Sequence, residues 1–237
     1  MTKLLITDIT RMGAAFCVIG LEHEGSAIRS LRPLPPKGWG WPNFPYRRGD
    51  ILEFNLMNLP CEKPHLEDRI STRGMRKVRQ VSDPEVVKYL RRAECADCLK
   101  DLFGCGVHEN RSGRGVFVPQ GAGNRSICGC ISQNLRMERV GKELRAAVTL
   151  PAGESLRDIP VVDRDWNTFV EAALIPSRGA NLLQRLQRFL DSQFDQKVLS
   201  CAHHFVRLGV TRPRPNRCWI MLDTLFPLPE DAWLEEF

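Results

Sequence analysis

At 237 residues, with 43% hydrophobic and 26% charged side chains and a net charge of +6, the chain is one large domain or two small ones of ordinary globular composition. Disorder is excluded by that apolar content, and a membrane span or secretory signal is not expected: the uncharged stretch Met12 to Leu21 is too short to cross a bilayer, and Asp8 interrupts the only apolar run before it. Nine cysteines, an odd number, do not suit a secreted disulfide framework, so a cytoplasmic setting is expected.

The first fifty residues read as short strands, Lys3–Thr10, Ala14–Leu21 and Ala27–Leu34, each bounded by turn or polar residues. A Gly-, Pro- and aromatic-rich loop, Lys37 to Tyr46, follows, and Gly49-Asp50 turns the chain into a strand at Ile51–Met57. Asp83 as cap and Pro84 in the first turn predict a helix over about 83–103. Gly104 to Asn124 holds six glycines and little periodicity, and predicts a linker or long loop. Beyond it, Ile131, Leu135 and Met137 share one strand face, and Leu144, Ala146, Val148 and Leu150 alternate with Glu143, Arg145 and Thr149. Ser155–Asp163 is a further strand. Leu183, Leu186, Leu190 and Phe194 fall at helical spacing and predict a helix over about 181–194. Strands at Val198–Leu208 and Arg217–Phe226 close the chain. This inventory predicts a mainly β protein with a few helices, built as two small OB-like barrels in tandem, residues 1–110 and 111–237.

Charge and aromatics point to a polyanion. Of 34 basic residues 26 are Arg, whose planar fork suits phosphates and whose face stacks on bases. Residues 1–94 carry 16 basic and 11 acidic groups, net +5, against 18 and 17, net +1, in the remainder. Two basic runs contain no acid: Arg69, Arg73, Arg76, Lys77 and Arg79; and Lys197, Arg207, Arg212, Arg214 and Arg217. A barrel that grips a single strand needs aromatic platforms with cations beside them. Trp39 and Trp41 stand in one loop with Phe44 and Tyr46, followed by Arg47 and Arg48; the same aromatics would also serve to cap a barrel end. In the last strand Trp219 shares a face with Arg217, Met221 and Asp223, and lies outside the barrel if Cys218, Ile220 and Leu222 line it. With Arg32 of the third strand, these are the candidate nucleic-acid contacts.

Cys95-x2-Cys98-x6-Cys105-x2-His108 has ligand types and pairings that zinc sites use, with Cys128 and Cys130 as possible additions. The same cysteines with Leu102 recur at the spacing of an apolar helix face, where thiols pack as small hydrophobes, so no cofactor is required and zinc is the alternative. For catalysis, Asp163-Arg164-Asp165 and His203-His204 are hints, and a cysteine nucleophile paired in space with a remote histidine stays open beside them. Adjacent strand histidines point to opposite faces, and no His-x-x-x-His, phosphate loop or Gly-x-Ser-x-Gly turn is present.

The start, Lys3-Leu-Leu-Ile-Thr-Asp-Ile-Thr-Arg-Met12, with Phe16-Cys-Val-Ile-Gly20 and Ile28-Arg-Ser-Leu-Arg-Pro33, resembles the prokaryotic proteins described as dual OB-containing domain proteins. Leu102-Phe-Gly104, Val161-Val-Asp-Arg164, Gly209-Val-Thr-Arg-Pro213 and Cys218 to Pro227 extend the likeness over nearly the whole chain. The cysteine-rich middle and the Arg69–Arg79 run depart from that pattern. The resemblance implies two OB-like barrels in one unit and brings no catalytic residues. By analogy it suggests a subunit of a bacterial defence complex. The expected function is therefore a non-catalytic nucleic-acid-binding or nucleotide-sensing accessory protein, with single strands favoured. Two alternatives stand beside it: a scaffold docking on larger protein partners, using the acidic tail Glu230 to Phe237, and a nucleotide-processing enzyme drawing on Arg32, Asp163 and Arg212.

Overall fold

The computed structural model describes residues 1–24, 27–72, 74–140, 143–168 and 203–228, and it is mainly β. Strands β1 (Thr2–Met12), β2 (Ala15–Glu24) and β3 (Ala27–Leu34) form an antiparallel meander. β4 (Asp50–Phe54) returns antiparallel to β1, and after Asn55 the same run continues as β5 (Leu56–Asn58). β6 (Asp68–Ser71) pairs antiparallel with β5 and parallel with β3. The pairing thus passes from β1 through β2, β3, β6 and β5 and returns along β4 to β1. The sheet curls into a ring.

The basic run expected between residues 69 and 79 supplies β6 and then β7 (Arg76–Gln80), an edge strand on β4 exposed along its whole length. Charged side chains there suit an edge, because they discourage pairing with another chain. Helix α1 (Asp83–Ala93) follows, and its N-cap is Ser82 rather than the expected Asp83: the Glu85 carboxylate accepts from the Ser82 backbone N–H at 2.9 Å. The single helix expected to about residue 103 is two. Glu94 is extended (φ −156°), Ala96 bridges to Cys130, and a short α2 (Leu99–Phe103) ends at Gly104 in the left-handed conformation.

The predicted linker is ordered. β8 (His108–Glu109) and β9 (Val116–Pro119) form a hairpin on the second sheet, so that sheet begins at His108, just inside the expected boundary. β10 (Ile127–Ser132) continues past Gln133 as β11 (Asn134–Val140), which forms a meander with β12 (Glu143–Thr149) and β13 (Ser155–Pro160). β14 (His203–Val210) returns antiparallel to β10, and β15 (Arg217–Leu228) pairs antiparallel with β14. β15 then meets the continuation of β13 in parallel, where Val161 bridges Leu222 and Val162 N–H donates to Leu222 C=O at 3.0 Å. The second ring therefore repeats the strand connections of the first. The predicted helix at 181–194 and the start of the strand predicted from Val198 lie outside the described residues. Among the described residues no helix is long and apolar enough to cross a membrane.

Strand alternation fills each ring. Leu4, Ile6, Val18, Leu31, Leu52 and Phe54 pack inside the first; Val148, Val206, Leu208, Cys218, Ile220 and Leu222 pack inside the second. The opposite face of β1, with Leu5 and with Leu21 of β2, is covered by Val86, Val87 and Leu90 of α1 and by Phe205, Phe226 and Leu228 of the second ring. Residues Leu4 to Thr10 are consequently all buried. Burial on both faces of β1 couples the rings through apolar area.

Candidate nucleic-acid interface

The seam between the rings also holds charge. Arg207 on β14 has no exposed surface; its guanidinium lies 3.4 Å from Asp8, 4.0 Å from Glu94 and donates to Ser30 at 3.0 Å. Arg32 on β3 is 5% exposed and donates to Asp68 and to Ser126, both at 3.1 Å, while Ser126 donates from its backbone and hydroxyl to Glu67. Arg212 reaches the same Asp68 from the second ring. Buried ions need such partners, because desolvation otherwise exceeds their attraction. Arg207 is sealed inside, so it joins the rings and does not face a ligand as expected; Arg32 reaches only a narrow cleft.

Two β-bulges shape this seam. In β1 the register against β2 shifts between Ile6 and Asp8, which turns the Asp8 carboxylate inward to accept from Thr7 Oγ1 at 2.7 Å. In β15 Arg207 faces Thr224 and Leu208 faces Leu222, so Asp223 is the extra residue. Its carboxylate lies over Gly209, where a Cβ would collide with it. Burial, with Asp8 nearby, pushes the Asp223 carboxyl up to about 8 against the opposing pull of Arg32 and Arg207. Burial also raises Asp8 despite Arg207, and lifts Asp163 to about 6 despite Arg48. His65, beside Arg32, is lowered to about 3 by burial and by the two arginines Arg32 and Arg212.

Several cations of the first half are matched with acids. Arg76 makes two hydrogen bonds to Glu53, at 2.6 and 3.2 Å, and Lys77 Nζ lies 2.6 Å from Asp50. Arg48 donates to Thr224 at 2.8 Å, pairs with Asp83 and Asp163, and covers the Phe226 ring at 4.4 Å. Arg47 is exposed, and Arg73 lies outside the described residues. Trp41 bridges Phe16 and donates to Pro33 C=O at 2.8 Å, packing with Phe44 and Tyr46 over the end of the first ring. Of the two roles open to that loop, Trp41 takes the cap. Trp39 does not: it is 57% exposed, with the Arg212 guanidinium 4.3 Å from its ring.

The second half is different. Cys218, Ile220 and Leu222 line the ring, which leaves Trp219 outside with Arg217. The Arg217 guanidinium lies 4.6 Å from the Phe117 ring and 5.8 Å from Trp219, and Phe117 stacks on His108 at 5.7 Å. Trp219 is hydrogen-bonded through its backbone to Thr211, the residue before Arg212. Three rings and one guanidinium group thus run as one strip, His108, Phe117, Arg217 and Trp219, while Arg212, held by Asp68, forms a separate guanidinium–ring pair with Trp39. Arg214 is exposed beside the strip, and the β8–β9 hairpin tip adds exposed Arg111 and Arg114, where a Cβ added at Gly115 would meet the Trp219 ring at 3.3 Å. Phe117, Arg111 and Arg114 were not anticipated. Their signal was Arg-Ser-Gly-Arg-Gly, a glycine-rich tip carrying two cations.

The proposed zinc ligands are not brought together. Cys98 Sγ donates to Asp101 at 3.1 Å and His108 is in the aromatic strip, and among the described residues no group of three or more His, Cys, Asp or Glu is placed to hold a metal. Asp163 caps the helical turn 164–168, accepting from the backbone of Asp165 and Trp166 at 2.8 and 3.0 Å, and its other oxygen accepts from Thr224 at 2.6 Å. The acidic tail of the scaffold alternative lies outside the described residues. Compared with known proteins, the chain matches no family model, no curated protein and no solved structure.

Proposed function

We propose that this protein is a non-catalytic binder of single-stranded nucleic acid, built from two OB-like barrels and serving larger assemblies as an accessory subunit. The observation that carries the reading is the strip on the second ring, in which a guanidinium group lies among aromatic rings. Single-strand binding rests on that combination: rings accept bases without sequence readout, and cations follow the phosphates. The repeated ring connectivity supports the fold part, since an OB barrel is a five-stranded Greek-key ring that binds oligonucleotides on one face. The paired state of Arg76 and Lys77 moves the footprint away from β7 and onto β15 and the β8–β9 hairpin.

Oligonucleotide binding titrated against salt tests this. Changing Arg111, Arg114 and Arg214 together to Ala is expected to reduce the log–log salt slope by about 0.7 per lost contact, roughly 2 in all. The pair R76A/K77A is expected to leave the slope unchanged. Absence of salt-dependent binding by the unmodified protein overturns the proposal.

A further inference from the structure

On the outer face of the first ring, Ile51 of β4, Leu5 of β1 and Leu21 of β2 stand side by side, with Arg79 of β7 opposite Ile51. Further along the strands come Lys3, His23 and, opposite His23, Ile28. With Val78 and Tyr89 these residues line a pocket of about 300 Å³, at the small end of the range for sites that take a whole small molecule. The floor is hydrocarbon: Leu5 and Leu21 are buried, and no buried polar atom lacking a hydrogen-bond partner belongs to a lining residue. The rim is cationic, since the only charged residues of the lining are Lys3 and Arg79, both exposed. Among the described residues neither of their side chains makes a hydrogen bond or an ion pair. The carboxylates close enough to feel them are already held. Glu53, near Lys3, takes two hydrogen bonds from Arg76, and Glu85, near Arg79, accepts from the Ser82 backbone and hydroxyl.

We propose that this pocket binds a small amphipathic carboxylate, its hydrocarbon body on Leu5, Leu21, Ile28 and Ile51 and its negative head on Lys3 and Arg79. Pocket and aromatic strip lie on different rings, so this site stands apart from the single-strand reading. An apolar floor under two uncommitted cations, with no acid in the lining, is complementary to such a molecule in both shape and charge. The same features disfavour other occupants. A nucleotide would press the hydrogen-bonding edge of its base onto a floor without polar partners and lose the bonds it makes to water. A strand of another protein added along β7 would meet an edge carrying Arg76, Lys77 and Arg79, and charged edges resist such pairing. At roughly 30 Å³ for a group the size of a water molecule, the volume holds about ten groups, so straight-chain acids of eight and ten carbons are the probes of matching size.

Calorimetric titration with decanoate, octanoate, 1-octanol and AMP tests this, at about pH 7 and low salt, where exposed ion pairs are least screened. Decanoate is expected to bind one per chain, and octanoate about tenfold more weakly, since each buried methylene changes affinity roughly fourfold. The neutral 1-octanol, with the same body as octanoate, is expected to bind about fivefold more weakly than octanoate, the size expected of exposed ion pairs. Lys3→Gln together with Arg79→Gln is expected to bring octanoate down to the level of 1-octanol and to leave 1-octanol unchanged. Val78 is 45% exposed, so V78D adds an acid to the pocket wall without entering the core, and it is expected to abolish decanoate binding. Absence of saturable decanoate binding below about 1 mM, or equal affinity for octanoate and 1-octanol, overturns the proposal on unmodified protein alone. Displacement of decanoate by AMP would assign the pocket to a nucleotide, and displacement by a Glu-Glu-Leu-Glu-Glu peptide at lower concentration would assign it to a protein partner; either overturns the proposal. Loss of decanoate binding in R111A/R114A/R214A would place the site on the strip and overturns it as well.

Discussion

Asp223 makes a prediction about stability that needs no ligand. Its folded-state value of about 8 lies above the roughly 3.9 of an unfolded Asp, so the folded state holds a proton that the unfolded chain has released. Stability from that proton is fully present below about pH 4 and is lost as pH rises through about 8. Linkage for one such group gives a loss of about 2 kcal/mol between pH 6 and pH 8. At 2–4 °C per kcal/mol for a chain of this size, that is a fall of about 4–8 °C in Tm. D223N carries no proton there but keeps the shape, so its Tm is expected near that of the unmodified protein at pH 6 and above it by this margin at pH 8 to 8.5. Thermal melts at half-unit pH steps measure the difference. Asp8, Asp163, Arg32 and Arg207, which face the same carboxyl, are common to both proteins, so their titration largely cancels. A difference in Tm that does not change between pH 6 and 8.5 refutes the reasoning.

Removal of Arg207 leaves Asp8 and Glu94 buried without their cation, and truncating one partner of a buried ion pair costs about 3–5 kcal/mol. Urea unfolding of R207M is expected to show a loss of that size, recovered in part by the double variant D8N/R207M; a loss under about 1 kcal/mol means the seam is held by apolar contacts alone. Gly209 is there because the Asp223 carboxylate occupies the place of its Cβ. G209A is expected to cost at least about 1–3 kcal/mol, the range for overpacking a tight site, and G209A/D223A to recover most of it. Equal stabilities of the two by urea denaturation would show that the crowding carries the cost no further than ordinary side-chain packing.

The strands of the first meander were legible because their apolar residues alternate and their turns are marked, and β12 and β15 were legible for the same reason. The Cys218 face of β15 lines its ring, as alternation allowed. Four short strands escaped. β7 is exposed along its length, so it has no apolar face to detect, and β6, β8 and β9 span only two to four residues each. The helix expected through Cys95 and Cys98 breaks because Ala96 takes a sheet partner, Cys130, that lies far along the chain. At the site, Trp39, Trp219, Arg212 and Arg217 were identifiable by type, while the roles of Trp41, Arg48, Arg76 and Lys77 were not. Whether an Arg is available to phosphate depends on its neighbour in space, and here those neighbours are Glu53, Asp50 and Asp163, none of them local.

Residue order alone determined the class of this molecule. Period-two hydrophobic patterning allows a pleated strand to bury one side, and repeating it through two halves leaves little besides a mainly β architecture. Only the tertiary structure decided which charges remain for a partner. Folding brings Asp68 against Arg32 and Arg212 and places Arg207 beside Asp8. Coulomb attraction between side chains depends on their separation in space and on how dry the surroundings are, and distance along the chain records neither.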